Sequence, residues 1–253
     1  MKTKKIITAG PLVLEAIYPR GSAHDGPRIR AGKRKLSSDA QKRMNAKYSY
    51  QKLELILAAN FAPGDWIVTL TYSPERLPTT RSQAVARLKE FRRRLSLRRK
   101  RSGSELRMVW NTENVFENGR WHHHVVLNNV GEELSLIREL WSWGSGIEIQ
   151  TLRIDKEHSF EAMARYLCKE ARERPGLRSW SYTRSCRQPE VETFPVPDDT
   201  PLQPPRGSWI LEDARTTNEF GAWRVVKYLD PERIRTEKRS GQRRPKRRRR
   251  GAF

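Results

Sequence analysis

The sequence predicts an α+β fold in which helices and strands alternate around an antiparallel hairpin. Three observations carry this. Asn118-Gly119 stands between runs rich in β-branched and aromatic residues, at roughly 106–115 and 120–128, the strongest short-range hairpin signal. Residues 80–100 place Val85, Leu88, Phe91 and Leu95 on one helical face. Trp66–Tyr72 (Trp-Ile-Val-Thr-Leu-Thr-Tyr) reads as a strand between the turn Asn60–Asp65 and Ser73-Pro74.

Taken in order, residues 1–37 are expected to be a basic flexible arm, and residues 20–47 carry Arg20, Arg28, Arg30, Lys33, Arg34, Lys35, Lys42, Arg43 and Lys47 against Asp25 and Asp39. A helix starts near Ser38-Asp39 and runs to about Ala59. The strand at 66–72, the helix at 80–100 and the hairpin follow. Residues 132–142 form a further helix with Leu134, Ile137, Leu140 and Trp141 inward, closed by Gly144-Ser145-Gly146. A strand at Ile147–Leu152 leads to a helix over 159–172. Residues 38–230 make up the main domain, with a Pro-rich, irregular extension from about 178 that holds short strands near Trp180–Thr183, Ser208–Leu211 and Ala222–Tyr228. Residues 231–253 end in a block of arginines and lysine and are expected to be a disordered basic tail.

The 253 residues carry 51 Lys+Arg against 29 Asp+Glu, a formal net charge of +22. Such an excess favours a polyanionic partner, because each neutralised phosphate releases counterions. An anionic membrane surface is the rival, but neither a long basic amphipathic helix at a terminus nor a lipidation motif supports it. Gly10-Pro11 and Glu15 break the early apolar run, which argues against a signal peptide. Two cysteines, Cys168 and Cys186, are too few for a disulfide framework or a zinc ribbon and suit a reducing compartment. On the helix at 80–100, Arg87, Arg92, Arg93, Arg94, Arg98, Arg99 and Lys100 face only Glu90, a pattern suited to a nucleic-acid backbone.

The hairpin carries the first candidate site. With Asn118 and Gly119 as the two central turn residues, Glu117 faces Arg120, Val115 faces His122 and Glu113 faces His124. Strand alternation puts His122 and His124 on one face and His123 on the other. Glu113, His122 and His124 then form a two-imidazole, one-carboxylate set with open positions, the donor set of a catalytic divalent-metal site. The same His run also fits a half-buried strand with hydrogen-bonded rings, and a one-residue slip would move Glu113 to the His123 face.

The 159–172 helix carries the second. Phe160, Met163, Ala164, Leu167 and Ala171 gather on its packing face, at about 100° per residue. Tyr166 sits on the shoulder of that stripe, Lys169 lies one turn on toward solvent, and Glu170 lies between Tyr166 and the stripe. A shoulder tyrosine can lay its hydroxyl over the sheet; taken alone it is equally a core-edge tyrosine, and Lys169 a surface lysine.

In this order the blocks Val68-Thr69-Leu70-Thr71-Tyr72, Glu113 with Gly119-Arg120-Trp121-His122-His123-His124, and Tyr166-Leu167-Cys168-Lys169 resemble the HUH endonucleases. These enzymes are named for two His flanking a usually hydrophobic residue. Within them the likeness is to rolling-circle replication initiators of small phages and plasmids. It covers roughly 45–190, including Leu140-Trp141, Gly144 and Arg184-Ser185. The chain departs from the pattern at the middle residue, His123, expected to be a neutral core-side histidine that competes as a ligand only if the strand is bulged.

The resemblance implies a central antiparallel sheet of the ferredoxin or RNA-recognition type with helices packed on it. It implies that Tyr166 attacks a phosphodiester of single-stranded origin DNA, leaving a 5′-phosphotyrosine and a free 3′-OH. Glu113, His122 and His124 would hold Mg²⁺ or Mn²⁺, and Lys169 would orient the phosphate or lower the Tyr166 pKa. Arg87, Arg92, Arg94, Arg98 and Arg120 are the expected DNA contacts. Residue 162 is Ala, so a single-tyrosine enzyme is expected, with Glu170 a candidate for activating water. Origin duplex, a host helicase and a polymerase are the expected partners, since no Gly-x-x-x-x-Gly-Lys-Ser/Thr loop is present; the setting is the cytoplasm of a bacterial host cell. Two other readings stay open: a single-tyrosine transposase or relaxase, and a non-catalytic protein that binds single-stranded nucleic acid.

Overall fold

The computed structural model describes residues 1–20, 39–114, 119–131, 134–144, 146–153, 159–169, 179–218 and 221–234. It is an α+β protein with two antiparallel five-stranded sheets. No helix among the described residues is long and apolar enough to cross a membrane. The chain divides into two units, residues 1–26 with 189–253, and residues 27–188.

In the first unit, β1 (Lys2–Ala9) and β2 (Leu12–Pro19) pair across the turn at Gly10-Pro11, where Gly10 takes a φ of +57° that glycine accommodates. The sheet order is β8-β1-β2-β10-β9, with β8 at Glu190–Val196, β9 at Trp209–Asn218 and β10 at Gly221–Leu229. Val13, Ile17, Val226, Tyr228 and Leu202 form its core. The buried Glu15 accepts a 2.7 Å hydrogen bond from the Tyr228 hydroxyl and pairs with Lys4. This redraws two expectations. Residues 2–19 are strands rather than a flexible arm, and the Pro-rich stretch supplies three strands rather than an irregular extension. Strand pairing between the two ends of the chain makes a sheet that neither end shows locally. Most of 20–37 and nearly all of the C-terminal tail lie outside the described residues.

The second unit is built on β3 (Trp66–Leu70), α2 (Arg81–Arg101), β4 (Met108–Glu113), β5 (His122–Leu127), α3 (Leu134–Leu140) and β6 (Ile147–Thr151). Their β-α-β-β-α-β succession and the strand order β6-β3-β5-β4 are those of a ferredoxin-like sheet. β7 (Ser181–Tyr182) adds to the β4 edge, and α1 (Asp39–Asn60) and α4 (Glu161–Leu167) complete the unit. α2 begins at Thr80, whose side chain caps the Gln83 N–H, and buries Ala84, Leu88, Phe91, Leu95 and Arg99 at spacings of three and four. These meet Val68, Leu70, Met108, Val125 and Leu127 from one sheet face, with Ile137 and Leu140 of α3 beside them. Arg99 is thus no part of the solvated basic face. It is buried in the core, where its guanidinium donates to the Asn128 side chain at 2.6 Å and the Asn128 carbonyl at 2.8 Å.

α4 lies over the opposite sheet face, tied by the Asn111 amide donating to the Leu167 carbonyl at 3.1 Å, and α1 packs on α4. Trp141 donates its indole N–H to the Thr71 carbonyl at 2.7 Å. Gly144 lies so close to this strand end that a Cβ there would collide with the backbone of Thr71, Tyr72 and Ser73. The Trp141 and Gly144 spacing thus locks the segment after α3 onto the end of β3.

Candidate active site

β4 and β5 pair with Glu113 opposite His122, Thr112 opposite His123 and Asn111 opposite His124. The expected register had Glu113 opposite His124. The observed one differs by two residues, so every side chain keeps its face, and Glu113 shares a face with both outer histidines. Residues 115–118 lie outside the described residues; Gly119 has the positive φ of +72° that its turn position suggested. The physical reason for the register is matching of like with like. It sets Met108, Val109 and Trp110 against Leu127, Val126 and Val125, and the three polar residues of β4 against the three histidines. The expected register would have faced Asn111 with Val126 and Thr112 with Val125.

Glu113 is fully buried, and its Oε1 lies 3.0 Å from Nε2 of His122 and 2.9 Å from Nε2 of His124. One ligand atom from each residue lies within 4.8 Å of the others. Lys169, two residues past the end of α4, brings its Nζ to 2.8 Å from the same oxygen. Burial acts to raise the Glu113 pKa, but hydrogen bonds from His122, His124 and Lys169 outweigh it and hold the carboxyl well below the usual range. Partial burial likewise acts to lower the Lys169 pKa, and the contact with Glu113 overrides it and raises it.

The outer nitrogens of the two rings decide what the inner ones offer. Nδ1 of His122 lies 3.1 Å from the Arg120 carbonyl, an acceptor, so Nδ1 carries the proton and Nε2 presents a lone pair. Nδ1 of His124 lies 3.3 Å from the Thr69 hydroxyl. Lone pairs of imidazole and carboxylate converging on one buried point repel unless a cation lies between them. The donor set therefore fits a divalent cation, with Glu113, His122 and His124 to hold it.

Asn111, which the sequence did not single out, holds these groups in place. Its amide donates to Glu113 Oε2 and to the Leu167 carbonyl, each at 3.1 Å, and its oxygen accepts from the His124 N–H at 3.2 Å. The signal that pointed to it is parity, since it lies two residues before Glu113 on the same strand. His123 points to the other face. It is buried between the Tyr72 hydroxyl, 2.7 Å from Nε2, and the Thr112 hydroxyl, 2.9 Å from Nδ1. Burial, with His122 and His124 nearby, pushes its pKa down to about 3, so it is a neutral core histidine.

Tyr166 is 42% exposed, and its hydroxyl lies 3.0 Å from His124 Nε2. The Lys169 ammonium sits 4.4 Å from the Tyr166 ring centroid. Tyr166, Lys169 and the three expected ligands thus meet in one place, with the ligands buried and the phenol reachable from solvent. Glu170 lies outside the described residues. The expected DNA contacts are not at this point. Arg87, Arg92, Arg94 and Arg98 belong to α2, on the far side of the sheet. Arg87 bonds the Arg76 carbonyl and lies over the Tyr72 ring, Arg94 pairs with Glu90, Arg92 lies 5.3 Å over Trp110, and Arg98 is exposed. Arg120 donates to the Tyr72 carbonyl at 3.3 Å.

The chain matches no curated protein and no solved structure. Residues 65–172, the stretch from β3 to just past α4 that holds every member of the cluster, match the family model of the replication-associated proteins of the ORF2 type.

Proposed function

We propose that this protein starts rolling-circle replication by nicking single-stranded origin DNA with Tyr166, leaving a 5′-phosphotyrosine and a 3′-OH. The observation that carries the reading is the convergence of the Tyr166 hydroxyl on His124 of the Glu113/His122/His124 cluster. The family match to replication-associated proteins supports the replication setting.

In the step itself the Tyr166 oxygen forms a bond to phosphorus while the bond from phosphorus to the 3′ oxygen breaks, and the phenolic proton ends on that 3′ oxygen. A phenol is a weak nucleophile near neutral pH, with an ordinary pKa of about 10. Lys169 meets this by placing a permanent positive charge beside the ring, which favours the phenolate and attracts the phosphate. A divalent cation held by Glu113, His122 and His124 supplies polarisation of the scissile phosphate and charge stabilisation on the leaving oxygen. Asn111 keeps both the carboxylate and the α4 end in position. Ala162, one turn before Tyr166, leaves a single nucleophile on this helix.

The test is incubation with single-stranded fragments of the protein's own replicon and Mn²⁺, followed by peptide mapping of any adduct. Tyr166→Phe is expected to abolish the adduct and leave DNA binding within about twofold. A covalent product from that variant would remove Tyr166 from the role. Tight strand binding with no cleavage in either metal would instead favour a non-catalytic binding protein.

A further inference from the structure

A groove runs beside the β4 edge on the α2 side of the second unit. β7 covers β4 only at Val109 and Trp110, so among the described residues Asn111–Glu113 have no strand on that edge. The groove opens there, with a volume of about 350 Å³, in the size range of pockets that take a small ligand. Asn111 and Thr112 form part of its wall, and the next residue on the strand is Glu113.

Its chemistry is aromatic and cationic together. The Trp110 indole carries the Arg92 guanidinium 5.3 Å from its ring, and Trp180 and Tyr182 stack at 5.7 Å. Arg81 and Lys89 complete the α2 side, and no carboxylate is among the described lining residues. Past Arg92 the groove continues into a second depression of about 710 Å³ with Arg93, Lys100 and Arg184 on its walls and Glu105 as its one acid. Flat rings beside a run of cations suit unstacked bases on a phosphate chain, since stacking takes any base and the cations follow the backbone. A duplex, with its bases already stacked, offers no free ring face to such a wall.

We propose that this groove binds the single strand flanking the phosphodiester that is cut, with a base against Trp110 and phosphates on Arg81, Lys89 and Arg92. The proposal rests on the reading of the protein as a single-strand endonuclease, and it adds residues on the sheet face away from the metal ligands. β4 then works from both sides. Its odd-numbered Asn111 and Glu113 face the metal cluster, and its even-numbered Trp110 and Thr112 face the groove.

The experiment measures binding of single-stranded replicon oligonucleotides to the full chain in EDTA, by fluorescence anisotropy over a range of salt. Trp110→Ala is expected to weaken binding about 5- to 150-fold, with Trp110→Phe recovering most of the loss. Lys89→Gln, on the exposed side of α2 where folding is not at stake, is expected to flatten the slope of log K against log salt by about 0.7. Folded Trp110→Ala and Lys89→Gln proteins that both bind like the parent would overturn the proposal. The two readings fail separately. A parent that never cuts DNA, but whose binding falls with these variants, keeps the groove and loses the nuclease. A parent that cuts, with variants that bind as well as it does, keeps the nuclease and loses the groove.

Discussion

Asn111→Ala is the perturbation that most directly tests whether the cluster is a built site. The side chain makes three hydrogen bonds from a buried position, to Glu113 Oε2, to the Leu167 carbonyl and from the His124 N–H. Two of these involve neutral backbone groups, about 1 kcal/mol each, and one an ionised carboxylate, about 1.5–3 kcal/mol. Their loss sums to about 4 kcal/mol, or roughly 8–16 °C in melting temperature for a unit of this size. Independently, releasing Glu113 and His124 from their common clamp is expected to weaken Mn²⁺ binding about 10- to 100-fold, the usual effect of removing a partner that orients metal ligands. Thermal melting gives the first quantity, and calorimetric Mn²⁺ titration well below the variant's melting point gives the second. A folded variant that binds Mn²⁺ within twofold of the parent would refute the reasoning, because the clamp would then serve packing alone.

Three further outcomes are expected. Glu113→Gln removes the anionic ligand, so the melting temperature of the parent should rise with Mn²⁺, by an amount equivalent to about 2.7 kcal/mol at a hundredfold excess over Kd, while the variant's should not. Glu90→Gln frees Arg93 and Arg94 from the carboxylate that now holds both at 2.8 Å. Single-strand binding should tighten and its salt slope should steepen, and a slope that stays flat would take these arginines out of the DNA path. His123→Leu leaves the Tyr72 and Thr112 hydroxyls short of a partner and should cost about 1–3 kcal/mol for each group left unsatisfied at neutral pH. Because the folded-state pKa of His123 lies below its unfolded value, the parent loses stability from this group as pH falls from about 6.5 toward 3; in EDTA the variant should lose about 3 kcal/mol less between pH 6.5 and 4.

Legibility in the sequence followed the range over which each signal acts. α2 was readable because its apolar period is local, yet Arg99 was misplaced, since only the Asn128 side chain and carbonyl across the core make its burial affordable. The face of Glu113 was readable from strand parity, while its partner was not, because the Asn-Gly signal outweighed six cross-strand pairs. Matching Met-Val-Trp with Val-Val-Leu and Asn-Thr-Glu with His-His-His would have given the observed register. β1 and β2 went unread because their partners β8 and β10 lie near the other end of the sequence, and no local pattern announces a long-range pairing. Tyr166 was readable as a shoulder residue. Its distance to His124 was not, since that depends on the Asn111 tie between α4 and the sheet.

β4 shows why the active-site strand has the sequence it does. A strand with one buried apolar face and one solvated face alternates simply between apolar and polar. Met108-Val109-Trp110-Asn111-Thr112-Glu113 instead changes character along its length, apolar for three residues and polar for three. The apolar half is held between β5 and β7, where both edges are paired. The polar half begins where β7 stops, and there each residue acts differently. Asn111 clamps, Thr112 satisfies His123, and Glu113 gathers the ligands. A slip of one residue would put Glu113 on the α2 face among Leu88 and Phe91 and bury an unpaired carboxylate, at a cost of several kcal/mol. The same polar ladder that assembles the cluster therefore also enforces the register on which the cluster depends.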